Sequence, residues 1–180
     1  MRVFQIKLGL IFALFIMVVA TTPAFAQVNI AVVDVDLILA ESKAAKSIKS
    51  QVAKKRKSFI SEVKKTEDKL RADQKAIESK RSELSKEQLI EKIKGFEKKR
   101  MEAGKGIQSQ KSKLDSAYTK AMNKLTKSIY DVCQEIANER KIDLVITRQN
   151  IIVGSMSLDI TKDVMERMNK GLPKLNLEVK

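Results

Sequence analysis

Two aspartates, Asp34 and Asp36, directly follow a run of β-branched residues and are the carboxylates that could take part in acid–base chemistry. Such chemistry needs a partner base or a nucleophile beside the carboxylate. None accompanies them, and the sequence contains no histidine at all. Asp36 is more simply interpreted as the N-cap of a short helix. No Gly-rich phosphate loop is present either, so an enzyme is the weakest interpretation.

The single cysteine, Cys133, lies on an apolar helical stripe with Ile129 and Ile136, a pattern that is typical of a small buried thiol. One cysteine excludes an intramolecular disulfide and a cysteine-based metal cluster. Without histidine, most transition-metal sites are excluded as well. The sequence therefore predicts neither a metal nor a cofactor.

Residues 1–26 have the three parts of a secretory signal peptide: a basic start, the apolar run Leu8–Ala20, and the small residues of Ala24-Phe25-Ala26. The run is shorter than the ~20 residues that a membrane span requires, which favours cleavage over a retained anchor. We expect cleavage after Ala26 and a mature chain that begins at Gln27. Export excludes nucleic acids as natural partners.

The net charge of +14 comes from the middle of the chain. Residues 42–141 contain 28 Lys and Arg against 14 Asp and Glu, whereas the remainder contains eight of each. Such a segment is either an ordinary solvated helix surface or an electrostatic surface for acidic partners. The residues that we assign to this charged arm surface are Lys54, Lys55, Arg56, Lys57, Lys64, Lys65, Lys98, Lys99 and Arg100.

The same segment is rich in helix formers and free of proline. Its apolar residues recur seven apart, as in a coiled coil, but Thr66, Asp73 and Lys80 stand where a full seam would be apolar. Ser85 and Gln88 form a capping-box pattern. The sequence thus predicts a turn near residues 82–86 between antiparallel helices at about 44–82 and 86–139, which at 1.5 Å per residue reach roughly 55–80 Å. Gly95, Gly104 and Gly106 indicate either a hinge or an ordinary loose helix.

The flanks predict a small β-rich body. Val28–Val35 is typical of a strand buried on both faces, and Ile142–Thr147 and Ile151–Gly154 of a hairpin. A closing helix places Ile160, Val164 and Met168 on one face. About 60 residues are too few for a secure core, so we expect the body to oligomerise. The body residues expected at the contact are Ile30, Val32, Val33, Leu144, Val145, Ile146, Ile151, Ile152 and Val153.

The elements "IAVVDVDLILAES", a lysine-rich helical hairpin, "IDLVITRQNIIVG" and "DITKDVMERMN" together resemble the Skp/OmpH family of periplasmic chaperones. The similarity extends to about Asn169, and the tail "LPKLNLEVK" has no counterpart. The resemblance implies a homotrimer in the Gram-negative periplasm, with strands in a small β-barrel body and three arms around a cavity. It implies that unfolded outer-membrane β-barrel proteins are held there without ATP. The family is also linked to lipopolysaccharide binding, although no pattern in this sequence assigns that role to particular residues.

To hold a client and release it without nucleotide, a chaperone requires many weak contacts that together give high affinity. The candidate client-binding residues are Phe59, Ile60, Val63, Leu70, Ile77, Leu89, Ile93, Phe96 and Met101. For Val63, Leu70 and Ile77 a contact between the two helices is favoured instead, because a thin heptad seam is normally interhelical. Phe59, Phe96 and Met101 fit the stripe less regularly and are favoured for client contact.

Two other functions remain open at this point: an exported coiled-coil adaptor, and an envelope protein that binds an anionic glycolipid such as lipopolysaccharide. In fold class the sequence predicts a predominantly α, α+β protein, with a long antiparallel hairpin arm on a small oligomerising β body, by resemblance a trimeric barrel. Its expected segments are the signal peptide (1–26), the body (27–42 and 141–170), the arm (43–140) and a C-terminal tail (171–180).

Overall fold

The protein is described by a computed structural model that covers residues 28–179, so the predicted signal peptide lies outside the described residues. The elements are strand β1 (Ile30–Val33), helices α1 (Val35–Glu41), α2 (Lys43–Ser79) and α3 (Lys86–Arg140), strand β2 (Leu144–Thr147) and helix α4 (Thr161–Gly171). The fold is predominantly helical with a small sheet, as the sequence predicts. Within residues 28–179, no helix is both long and apolar enough to cross a membrane.

Helices α2 and α3 form the hairpin arm. Ser42 begins α2, its side chain accepting the N–H of Ala45 at 3.2 Å. At the other end the predicted capping box is present: Ser85 Oγ accepts the N–H of Gln88 at 3.2 Å, and Gln88 Oε1 accepts that of Ser85 at 3.1 Å. The box satisfies two backbone donors at once, and Ser85 has extended backbone angles, so Ser85 is the start of a new helix. At 1.5 Å per residue the helices are about 55 and 80 Å long.

The sheet joins the two ends of the arm. Strands β1 and β2 pair in parallel, with Ile30 opposite Leu144 and Val33 opposite Thr147. On the other side of β1, Val32 forms a bridge to Asp159, and its carbonyl accepts the N–H of Ile160 at 2.9 Å. The chain therefore leaves the body along β1 and returns beside it, which fixes the base of the arm.

Two details predicted for the first strand are wrong. The strand covers only Ile30–Val33, because Asp34 begins α1 directly after it. The cap is Asp34 and not Asp36: Asp34 Oδ1 accepts the N–H of Leu37 at 2.8 Å, three residues on. Asp36 lies in the first turn of α1, and its carboxylate accepts a hydrogen bond from Gln149 Nε2 at 2.5 Å.

The hairpin predicted from Ile142–Thr147 and Ile151–Gly154 is also wrong within this chain. Arg148–Asn150 forms a turn of 3₁₀ helix, residues 151–154 belong to no strand, and a second 3₁₀ turn spans Met156–Leu158. The run of apolar residues lacks the period-2 alternation that distinguishes a half-buried strand from other apolar segments. Instead β2 finds its partner in β1, more than a hundred residues earlier.

The core lies where the body meets the arm base. Its fully buried side chains come from α1, both arm helices and α4, and are Ile38, Ile48, Leu125, Ile129, Ile136, Val164 and Met168. Cys133 is buried among them, as predicted. The face predicted for the closing helix is likewise buried at Ile160, Val164 and Met168.

Candidate binding surfaces on the helical arm

The outer two thirds of the arm has a seam but no buried core. From Ala53 to Lys113 no residue is fully buried. The half-buried positions 59, 63, 66, 70, 73 and 77 on α2 alternate in steps of four and three, which is a heptad seam. Two of them are polar, as predicted: Thr66 Oγ1 donates to the carbonyl of Glu62 at 2.9 Å, and Asp73 pairs with Lys99 at 2.8 Å.

The predicted client-binding residues divide into two groups. Six of the nine are half-buried along the seam: Phe59, Val63, Leu70, Ile77, Leu89 and Phe96. Ile60 and Met101 lie outside it and are 67% and 56% exposed, whereas Ile93 keeps the seam spacing between Leu89 and Phe96 but is 45% exposed. Phe96 lines the same shallow groove as Ile77, which places this aromatic ring beside the seam. Any contact of these residues with a client remains a prediction.

The exposed residues lie on one face of the hairpin. Ile60 follows the seam residue Phe59, and Ile90 follows the seam residue Leu89. In antiparallel helices the residues that follow seam positions lie on the same side of the pair. Ile93 and Met101 are three and eleven residues beyond Ile90, within about a quarter of the helix circumference. We call Ile60, Ile90, Ile93 and Met101 the exposed apolar face.

Three exposed residues of this kind were missed from the sequence. Ile90 is 53% exposed, and Tyr118 and Tyr130 are also exposed on α3. Ile90 could have been found, since an apolar residue adjacent to a seam residue must point away from the partner helix. The two tyrosines carry the same signal, because Tyr118 follows the buried Ala117 and Tyr130 follows the buried Ile129.

The basic residues of the arm are exposed and sparsely paired. Among the described residues no salt bridge involves the block Lys54–Lys57 or the pair Lys64 and Lys65, whereas Lys99 pairs with Asp73 and Arg100 with Glu97. Exposed pairs of this type contribute little stability. The net positive charge therefore remains available at the surface near the arm base.

The aspartates considered for catalysis have structural partners. Arg148 pairs with Asp159 and lies 3.7 Å from Asp34, at the carboxyl end of β1. Partial burial alone would raise the pKa of Asp159, but hydrogen bonds from Thr161 and Arg148 outweigh it and lower that pKa. Asp34 thus caps α1 and lies near Arg148, and Asp36 accepts a hydrogen bond from Gln149, so both carboxylates already have structural roles. Within residues 28–179 no cluster of three or more potential metal ligands occurs.

The predicted body residues are partly buried in the protomer itself. Val32 and Val33 belong to its own core, and Val145, Ile146 and Ile151 are half-buried. Ile30, Leu144, Ile152 and Val153 are exposed, as is the nearby Met156. A small body with this many exposed apolar side chains has a surface suited to further contacts.

The C-terminal tail, residues 172–179, lies against the arm base, a position that the sequence did not predict. Leu175 is buried in the core, and the side-chain amide of Gln51 bonds to the tail backbone. Nothing in the local sequence indicates this contact, since its partners are separated by more than 120 residues.

The sequence matches a known protein family over most of its length. The family model described as outer membrane protein (OmpH-like) matches residues 29–168. The chain belongs to the OmpH-like family. No curated protein matches the OmpH-like chain in sequence.

A solved structure shows the same fold. The crystal structure of a candidate outer membrane chaperone (OmpH-like) from Caulobacter crescentus CB15 aligns with a TM-score of 0.78 at 14% identity. The alignment covers 88% of this OmpH-like chain and 94% of the Caulobacter chain. At this identity the likeness concerns the architecture, a long hairpin arm on a small body.

Proposed function

We propose that this OmpH-like protein is an ATP-independent holding chaperone of the periplasm. Its clients are unfolded outer-membrane β-barrel proteins, which it binds between helical arms and keeps from aggregating. Family membership and the architecture shared with a candidate outer membrane chaperone support this function.

The main structural support for this proposal is the exposed apolar face on a long, thin arm. Ile60, Ile90, Ile93 and Met101 are each about half exposed or more, and their positions on two helices spread them over much of the arm's length. Each side chain can bury its apolar surface against an unfolded chain for only ~1–2 kcal/mol. Such contacts break one at a time while their sum stays tight, which allows release without nucleotide.

The charge of the arm supports the same function. The exposed lysines at Lys54–Lys57 attract acidic segments of a client over about 10 Å at 0.1 M salt. They also repel the corresponding residues of neighbouring arms, which favours an open cavity over collapsed arms. Capture should therefore weaken as the salt concentration rises.

Assembly into a homotrimer is part of the proposal. A two-stranded sheet is marginal by itself, and β2 has no second strand partner among the described residues. Leu144 in β2, and Ile152 and Val153 in the segment that follows it, are exposed. Burying these side chains between protomers would complete a core that one body is too small to supply.

Aggregation of a urea-diluted outer-membrane barrel protein, followed by light scattering, tests the proposal. The mature chain should suppress the scattering at low salt and do so less well at 1 M salt. Two double variants separate loss of client contact from loss of helix stability. The test variant is Ile60→Ser with Met101→Ser, and its control is Ala53→Ser with Ala72→Ser. Both alanines are exposed on α2, so the second pair carries at least as large a helix-propensity cost but removes much less apolar surface. Unchanged client aggregation at every salt concentration would exclude a holding function.

Binding of an anionic glycolipid is a second candidate, favoured by the exposed basic block at Lys54–Lys57. Vesicles that contain lipopolysaccharide, compared with neutral vesicles, would distinguish it. Sedimentation of the protein only with the lipopolysaccharide vesicles, and loss of that binding in a Lys54–Lys57 charge-reversal variant, is the expected result for a glycolipid-binding protein.

A further inference from the structure

The C-terminal tail lies in the groove between α2 and α3 with its side chains in alternation. Leu175 is buried and Leu177 half-buried, whereas Asn176 and Glu178 are exposed. Val179 lines a pocket with Phe59 and Leu114 but remains 38% exposed, so the burial that alternates is that of Leu175 and Leu177. Burial at every second residue is the pattern of an extended chain that lies on a surface. The groove thus already holds an extended segment that presents apolar side chains at positions 175, 177 and 179.

Gln51 holds the backbone of this segment. Its Nε2 donates to the carbonyl of Leu175 at 2.7 Å, and its Oε1 accepts the N–H of Leu177 at 2.9 Å. A strand residue in a parallel ladder makes this same pair of bonds to the residues on either side of its partner. The primary amide of glutamine offers one donor face and one acceptor face, as a peptide group does. Gln51 therefore pairs with Asn176 as a neighbouring strand would.

This mode of binding needs no hydrogen bond to a particular side chain of the segment. The two hydrogen bonds go to backbone atoms, and the Asn176 side chain is exposed. What the groove requires is an extended backbone with apolar side chains at alternate positions, as in β-strand addition to a sheet edge. Lys113, Lys120 and Lys124 line the groove beside Glu178, which favours acidic residues at the intervening positions.

The groove continues towards the arm tip beyond Val179. Glu62 and Gln110 line both the pocket at Val179 and the next one along the hairpin, which also contains Gly106. A further pocket near the tip is lined by Gly95 beside Ile77 and Phe96. A Cβ added at either glycine would meet nothing within 4 Å, so their missing side chains leave this side of the arm open. A segment longer than the tail has space along the same line.

The groove and the exposed apolar face lie on opposite sides of the hairpin. Ser58 and Lys113 precede the seam positions Phe59 and Leu114 and line the groove, whereas Ile60 follows Phe59. Residues on the two sides of a seam position point to opposite faces of an antiparallel pair. Substitutions in the groove therefore leave Ile60 and Met101 untouched.

We propose that this groove is a docking site for an extended polypeptide segment with apolar side chains at alternate positions, and that the tail occupies it as a tethered competitor. The proposal rests on the chaperone function proposed above, because the strands of outer-membrane barrels alternate apolar and polar residues with this period. The occupant is an unfolded strand of a client. The tail "LNLEV" has the same alternation and holds the site until a client displaces it.

The covalent attachment of the tail determines how much it should weaken the binding of a free peptide. A short linker holds the tail at an effective concentration on the order of 1 mM. A free peptide that binds the open groove with a Kd of about 0.1 mM should then bind the intact chain about tenfold more weakly. Removal of the tail should restore the full affinity without any new contact.

The probe is a fluorescent peptide with the sequence of residues 172–179, titrated by anisotropy. A control peptide has the same composition, with its apolar residues placed side by side. The protein is the mature chain, compared with a chain that ends at Leu172. We expect the shortened chain to bind the tail peptide at least tenfold more tightly than the intact chain, and to bind the control peptide weakly.

Because Leu175 belongs to the core, removing the whole tail could unfold the chain, so a second variant keeps Leu175. Leu177→Asp with Val179→Asp keeps Leu175 in place and weakens only the outer part of the tail, so it should also raise the affinity for the peptide. Gln51→Met removes both backbone bonds and should lower peptide binding to the shortened chain about tenfold. Gln74→Met is its matched control, since Gln74 lies on α2 and bonds only to Glu78 on its own helix.

Competition decides whether a client uses the groove. An unlabelled, unfolded barrel protein should displace the peptide from the shortened chain. A shortened or doubly substituted chain that is folded by circular dichroism and binds the peptide no better than the intact chain would overturn the proposal. So would a bound peptide that the client does not displace, because the tail would then be a structural strap only. An intact chain that fails to keep the client soluble would instead overturn the chaperone function and leave the peptide result standing.

Discussion

Arg167 donates hydrogen bonds from both guanidinium amino groups to the two carboxylate oxygens of Glu139, with Nη1 at 2.7 Å from Oε1. The pair joins α4 to the last turn of α3. A second pair, Arg140 with Asp163 at 2.5 Å, joins the same two helices. Two-point pairing fixes the relative orientation of the groups as well as their distance. The closing helix is thus fastened to the arm base at the point where the chain returns to the body.

This pair predicts an acid-dependent loss of stability. The hydrogen bond from Arg167 lowers the pKa of Glu139 below its ordinary value of 4.5. A carboxylate with a lowered folded-state pKa stabilises the fold above its unfolded pKa, and the effect is lost as the pH falls through the folded pKa. Glu139→Gln should therefore lower the urea midpoint at pH 7, and the difference from the parent should shrink below pH 4.5. A difference that stays constant down to pH 2 would show that the pair does not act through ionisation.

The glycines of α3 predict a gain in arm stability. The helix is continuous through Gly104 and Gly106, neither has a positive φ, and an added Cβ would meet nothing within 4 Å. Replacing either by alanine should raise the free energy of unfolding by up to ~1 kcal/mol, because glycine loses more backbone entropy in a helix. Thermal melting followed by circular dichroism measures this. A lower melting temperature in both variants would indicate that the arm needs a bend at this position.

The thiol of Cys133 should be unreactive in the native protein. Burial raises its pKa above the ordinary value of 9.0, so little thiolate, the reactive form, is present at neutral pH. Alkylation by iodoacetamide at pH 8 should be at least tenfold slower in buffer than in urea. Equal rates in the two conditions would show that the core around α3 opens readily.

The seam and the exposed apolar face should respond differently to the same substitution. Phe96→Ser should destabilise the arm by roughly 1–2 kcal/mol, because its ring is half-buried beside Ile77. Ile60→Ser and Met101→Ser should leave the melting temperature nearly unchanged and reduce client holding. Melting and client aggregation, measured on the same samples, separate the two roles. If Phe96→Ser reduced client holding without reducing stability, the client would contact the seam and not the exposed apolar face.

The helices could be predicted from local signals. The capping box at Ser85 and Gln88, the heptad positions with polar interruptions at Thr66 and Asp73, and the buried stripe around Cys133 all follow from spacing of three to seven residues. These signals are local because a helix satisfies its backbone within its own segment. The structure agrees with each of them.

The body could not be predicted to the same extent. The parallel pairing of Ile30 with Leu144 and the contact of Gln51 with Leu177 join segments more than a hundred residues apart, and no local pattern encodes such pairings. The apolar run Ile151–Gly154 carries strand-forming residues, but these residues lie in no strand here. Choosing Asp36 over Asp34 as the cap failed because two aspartates two residues apart offer the same cap signal. Only the position at which β1 ends decides between them.

We propose that the protein binds an unfolded outer-membrane barrel protein as an oligomer. Size-exclusion chromatography with multi-angle light scattering, on the mature chain mixed with the urea-diluted client, tests it most directly. We predict one peak whose mass equals three chains plus one client, and a trimer mass for the chain alone. A monomer of the chain in one peak, with the client aggregated in the void volume, would contradict the account.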